Sequence, residues 1–271
     1  MMTPWLAPTA PDLVWFSGPD AVRFLNDLVS QEIGGMSSGE VRRSLLLGAR
    51  GKLDHLLWVL RGDDLVGLVT DEGRGEALAA TLTRYRIRVQ VDIEPETRPL
   101  FVVMGESSAG SWAGDRHGAV DADLSWRAYP RMLVAGERPD LPMGSDPDFQ
   151  AARVASGEPA WGVDVDEKTI PQETGMVGET VDFGKGCYLG QELVARINSR
   201  GHVNRHLRVI ELSEPVPTGS VLQSGDREVG VLTSVTGNLG LALIRKEVTP
   251  GETVSAAGTE AVVRDLPEPG L

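Results

Sequence analysis

Apolar and polar positions follow one set of periods before residue 200 and a different texture after it. Ser17-Gly18-Pro19-Asp20 supplies capping and first-turn residues, and Ala21, Leu25, Leu28 and Val29 then recur at helical spacing. That pattern predicts a first helix. Residues 41–47, 55–61 and 65–70 read as strands, with the Gly62-Asp63-Asp64 turn joining the last two. Leu78, Leu82 and Tyr85 restore a helical period over 71–86, and the alternation Ile87-Arg88-Val89-Gln90-Val91 predicts another strand. Further strands are expected at 99–104 and 126–135, separated by a Gly-, Ser- and Asp-rich surface loop. A short helix is expected at 148–155, ended by Ser156-Gly157-Glu158-Pro159.

Residues 161–183 are irregular and acidic. After Gly201 come short β-type runs at 203–212, 220–223, 228–236, 239–245, 252–255 and 260–265, broken by Gly, Pro and Asn. Their regular spacing predicts a small barrel or sandwich. The boundary falls near Gly201 to Arg205, which separates residues 1–202, as one unit or two subdomains, from a β domain over 203–271.

Composition narrows the function classes. The formal charge of −13 argues against extensive nucleic-acid binding, because affinity for phosphate backbones comes from clustered cations. The apolar run 53–60 is broken by Asp54 and His55 and is far too short for a bilayer span, so no membrane role is expected. Residues 1–11 lack the basic start and continuous apolar stretch of a secretory signal, which predicts a cytoplasmic chain. The single cysteine excludes an internal disulfide and a Cys-rich zinc site. It also cannot hold an iron–sulfur cluster alone, so any cluster role is shared with a partner or indirect.

That cysteine lies in Lys185-Gly186-Cys187-Tyr188-Leu189-Gly190-Gln191-Glu192. A helix start after Gly190 would turn its positive end toward the thiol. In an extended segment Lys185 and Cys187 point the same way, and an adjacent ammonium would favour the thiolate as nucleophile or metal ligand. The alternative is a buried cysteine that fits a tight turn. Arg196, Arg200, Arg205 and Arg208, with His202 and His206, suggest an anion clamp, against which stands ordinary solvated charge. Asp164, Asp166 and Glu173 could supply acceptors to a heterocycle beside the cysteine loop, although surface acidity is the commoner role. Gly51-Lys52-Leu53-Asp54-His55 could present Asp54 or His55 at a cleft. The stretch 105–118 has neither a Walker pattern nor a dinucleotide fingerprint and reads as a plain loop.

The cysteine segment, with Ile170-Pro171-Gln172-Glu173 before it and Val194-Ala195-Arg196 after it, closely resembles the signature of YgfZ-type folate-binding proteins. These are relatives of the glycine-cleavage T-protein (GcvT), an aminomethyltransferase. Ser17-Gly18-Pro19-Asp20-Ala21 through Phe24-Leu25 is similar to the family's opening helix, and Trp161-Gly162-Val163-Asp164 to the segment leading into the signature. Residues 203–265 are similar to its C-terminal barrel. The resemblance implies an α+β fold: a GcvT/YgfZ-like folate-binding body with a folate-sized opening, and a small C-terminal β-barrel. It implies tetrahydrofolate as cofactor and a role in assembly, maintenance or repair of iron–sulfur enzymes, with scaffold or client proteins as partners. Cys187 and Lys185 are then the catalytic candidates and Tyr188, Gln191 and Glu192 folate contacts. Arg196 and Arg205 would hold the folate's glutamate tail, and Asp54 is a further folate-binding candidate, which in a transferase would orient the folate nitrogen. The alternative is a folate-dependent aminomethyltransferase or other one-carbon transferase. Against it, Arg153-Val154-Ala155-Ser156-Gly157 carries Ala155 where the T-protein's Arg-Leu-Glu-Ala-Gly segment has a glutamate.

Overall fold

The computed structural model describes residues 3–107, 112, 118, 120–127 and 129–268. Its body contains, in order, β1 (Trp5–Leu6), β2 (Asp12–Ser17), α1 (Ala21–Asn26), β3 (Val41–Leu47), β4 (Leu53–Arg61), β5 (Leu65–Thr70), α2 (Gly75–Thr83) and β6 (Asp92–Pro95). Then follow β7 (Leu100–Met104), β8 (Val120–Asp123), β9 (Arg131–Ala135), α3 (Asp146–Ala155), a 3-10 turn at Pro171–Thr174, α4 (Val177–Thr180) and α5 (Gln191–Arg200). The last six strands are β10 (Arg205–Leu212), β11 (Val221–Ser224), β12 (Arg227–Thr236), β13 (Leu239–Arg245), β14 (Thr253–Ala256) and β15 (Thr259–Arg264).

An antiparallel five-stranded sheet of order β3-β4-β5-β2-β6 packs near a four-stranded sheet of order β1-β7-β9-β8. Strand β2, between β5 and β6, has a Leu-Val-Trp-Phe run that is buried on both faces. Val14 and Phe16 join Leu25, Leu78 and Leu82 beneath α1 and α2, while Leu13 and Trp15 meet Val102 and Leu133 from the other sheet. A strand covered on both sides reads as continuous apolar sequence rather than alternation. The alternation of buried and half-buried positions that marks most of β4 is therefore missing from it.

The strand expected at 87–91 does not form. There Arg88 takes φ +58 and Ile87 is 73% exposed, while Gln90 accepts from the Asp20 amide and donates its own amide to Asp20 Oδ2 at 2.7 Å. Those bonds tie the segment to the start of α1, and strand pairing with β2 begins only at Asp92. The run expected at 126–135 is likewise divided. Trp126 and Tyr129 exchange backbone hydrogen bonds in a tight turn, and β9 starts at Arg131. Most of 105–118 lies outside the described residues, and β8 occupies part of the stretch expected to be loop.

The C-terminal strands close into a six-stranded antiparallel barrel of order β10-β13-β12-β11-β14-β15, filled by Ile210, Leu222, Leu232, Ala242, Ile244 and Val263. A buried ion pair joins it to the body. Arg153 of α3 donates to Asp164 Oδ2 at 2.6 Å and to Ser234 Oγ of β12 at 2.6 Å, and Asp164 Oδ1 accepts from Thr233 and Ser234 hydroxyls. Asp164 and Glu173, expected as surface acidity, are thus 2% and 4% exposed and fully bonded. No helix among the described residues is long and apolar enough to cross a membrane.

Candidate functional site

Two glycines set the position of the cysteine loop. Gly190, at φ +76, is the residue before α5, and Gly51, at φ +73, turns the chain between β3 and β4. A Cβ on Gly190 would lie 2.6 Å from the Gly48 carbonyl oxygen, so only glycine lets these backbones meet. Within the loop, the Tyr188 amide donates to Gln191 Oε1 at 3.2 Å, which makes Gln191 part of the loop's own closure.

Lys185 anchors the same loop from below. Its ammonium donates to the carbonyls of Asn26, Val29 and Gln31 at 2.6, 2.8 and 2.9 Å, beyond the end of α1. Burial pushes Lys185 down to about 8, so it stays largely charged at neutral pH, where the carbonyls of that turn need a donor. Its ammonium is thus engaged by the carbonyls of that turn. Cys187 itself is exposed. Tyr188 is half-buried against the apolar cluster that includes Leu47 and Val194, its ring centroid 5.5 Å from Lys185 Nζ, and burial raises its phenol to about 12.

The other predicted residues scatter around this loop. Glu192 and Arg196 are exposed on α5. Arg205 pairs with Glu173 at 3.1 Å and ties the first barrel strand to the 3-10 turn, while Arg208 pairs with Asp265 at 3.3 Å. The anion clamp read from the sequence is to that extent already engaged. Asp54 is partly buried, 3.9 Å from Arg74, and burial raises its carboxyl. His55 beside it is 1% exposed and bonded through Nδ1 to Thr70 Oγ1 at 3.2 Å.

A separate cavity of about 360 Å³ opens between the two sheets of the body. Three tryptophans, Trp58, Trp126 and Trp161, line it. The Arg43 guanidinium lies 3.7 Å from the Trp126 ring centroid and 4.6 Å from that of Trp58, and pairs with Glu179. Burial lowers Arg43 to about 10 without discharging it. Arg131 makes a two-pronged bond to Glu158 at 2.8 and 2.6 Å. Asp71 Oδ2 and Trp126 Nε1 are buried and have no hydrogen-bond partner among the described residues. Lining residues include none of Asp54, Lys185, Cys187, Tyr188, Gln191, Glu192, Arg196 and Arg205. The resemblance implied a folate-sized opening in the body, but sequence reasoning did not identify the residues that line this chamber. Its only traces were the tryptophans and the charged residues embedded in apolar runs, such as Arg43 before Leu45-Leu46-Leu47.

Comparison with known proteins agrees with this architecture. Residues 204–268 match the family described as "CAF17, C-terminal beta-barrel domain". The chain is 29% identical to the human "Iron-sulfur cluster assembly factor IBA57, mitochondrial" over 86% of its own length and 75% of that protein's. It is 26% identical to the corresponding homolog of Pyricularia oryzae over 90% of its length and 73% of that protein's. Among solved structures, the glycine cleavage system aminomethyltransferase T from Bartonella henselae superposes with a TM-score of 0.83 at 17% identity, covering 97% of this chain and 86% of that one. Fold and barrel define the class: a GcvT-like protein with a closed six-stranded C-terminal β-barrel. Within that fold class the barrel match and the similarity to the assembly-factor relatives agree with the YgfZ-type resemblance of the cysteine segment.

Proposed function

We propose that this protein is an accessory factor in iron–sulfur cluster assembly, which offers the Cys187 thiol to a partner and binds a tetrahydrofolate-type ligand in the cavity of the body. The observation that carries the reading is the exposure of the one cysteine on a loop fastened by Lys185 and by the Gly51–Gly190 contact. An exposed, positioned thiol can complete a ligand set, and one thiolate is too few to hold a cluster. Partner proteins therefore supply the remaining ligands, and the cluster passes as cargo. The similarity to relatives named iron-sulfur cluster assembly factors, extending over 86% of the chain, supports the same role.

The residues around the cavity suit a pterin. Its volume lies within the range of small-ligand pockets, its aromatic walls match a flat ring, and its two unpartnered polar atoms offer one acceptor and one donor. Bound there, tetrahydrofolate would supply one-carbon chemistry within a chamber that the cysteine loop does not line. A transferase reading has the fold as its main support, and fold alone does not determine chemistry.

The test is complementation of a strain lacking the protein, scored by the activity of its iron–sulfur enzymes. Cys187→Ala should fold with an unchanged unfolding midpoint and fail to restore those enzymes. Full restoration by Cys187→Ala would overturn the reading.

A further inference from the structure

The cavity contains one carboxyl group whose bonding is incomplete. Asp71 follows the last residue of β5 and lines the chamber; its own backbone amide bonds to its carboxyl, and its Oδ2 is shut off from solvent without a donor among the described residues. The two nearest cations are otherwise engaged. Arg131 holds Glu158 with both terminal nitrogens, and Arg74 donates to the Asp54 carbonyl at 2.8 Å while lying over the Trp161 ring at 4.3 Å. Burial, followed by repulsion from Glu158, pushes the Asp71 carboxyl up to about 6. Buried polar atoms are nearly always bonded, so an exception inside a cavity points to a group that the cavity receives.

Resting on the reading of this chamber as a heterocycle site, we propose that Asp71 selects the ligand by accepting two parallel N–H bonds from the edge of a 2-aminopyrimidinone ring. A carboxylate has two oxygens set to receive paired donors, and an exocyclic amino group beside a ring N–H presents such a pair. The tryptophan walls accommodate the flat ring, and the free Trp126 Nε1 supplies a donor for a ring or carbonyl acceptor. A ring with a carbonyl in place of the amino group would set an oxygen against the carboxylate. Selection is then by an unfavourable contact as well as a favourable one.

Titration of the full chain with pterin and with lumazine, in which that amino group is replaced by carbonyl, reads this directly through quenching of tryptophan fluorescence. Wild type should bind pterin about tenfold or more tightly than lumazine, since a polar site discriminates strongly against a ligand that lacks its partner. Asp71→Asn should lose that preference while its unfolding midpoint stays level or rises, because a buried charge has been removed. Asp71→Ser is a second variant with the same expected loss. If both variants keep the wild-type preference for pterin, Asp71 is not the selecting residue, although the cavity reading stands. If wild type binds neither pterin nor tetrahydrofolate, the ligand assignment of the cavity falls, and this inference with it.

Discussion

Gly190 and Gly51 meet backbone to backbone: a Cβ built on Gly190 would stand 3.0 Å from the Gly51 Cα. The contact joins the first turn of α5 to the β3–β4 turn, and so fixes where the cysteine loop leaves the body. Gly190→Ala is expected to lose about 3 kcal/mol, combining the strain of a positive φ with overpacking. Gly186 has nothing within 4 Å of its Cβ position, so Gly186→Ala should stay within about 0.5 kcal/mol of wild type. Urea denaturation of both variants checks the contrast.

Lys185 should matter for order in the loop more than for the barrel. Lys185→Met leaves the carbonyls of Asn26, Val29 and Gln31 without their shared donor, a loss of about 2–3 kcal/mol. Arginine should not rescue it, because a planar guanidinium cannot reproduce three bonds converging on a single ammonium. Hydrogen exchange should show faster amides over 183–188 and unchanged protection in β10 to β15.

The Arg153–Asp164 pair holds body and barrel together, with side chains 7% and 0% exposed. Removing either partner alone strands a buried charge, at a cost of about 3–5 kcal/mol. Arg153→Met combined with Asp164→Leu should cost less than the sum of the single changes. A double-mutant cycle on unfolding free energy measures that coupling.

His55 makes the fold sensitive to acid. Burial, reinforced by repulsion from Arg74, lowers its imidazole to about 3. Between the ordinary value of about 6.5 and about 3, the unfolded chain takes up a proton that the native chain refuses. Stability contributed by neutral His55 is therefore complete above about 6.5 and is lost as pH falls, with a slope approaching about 1.4 kcal/mol per pH unit. His55→Gln should flatten that part of the stability–pH curve measured by denaturant titration.

Local pattern was enough to locate α1, β3, β5, α3, the helix after Gly190 and the strands that close the barrel. The helices among these show one apolar face at helical spacing, and β3 and β5 are short apolar runs next to turn residues. Strand β2, buried on both faces, shows no alternation and was legible only as a brief hydrophobic run, and 87–91 misled because its backbone is bonded to Asp20 instead of to a neighbouring strand. The single thiol in a glycine-framed loop was equally legible in the sequence, since neither a lone cysteine nor its glycines depend on distant partners for recognition.

Only the tertiary structure decided that Lys185 anchors the loop at Asn26, Val29 and Gln31, that Arg205 belongs to Glu173, and that a tryptophan-lined chamber lies apart from the thiol. The chamber is assembled from residues as far apart as Arg43, Asp71, Arg131 and Glu158. Periodicity records which side of an element is covered, but the pairing of one covered face with another is settled by packing across the whole chain.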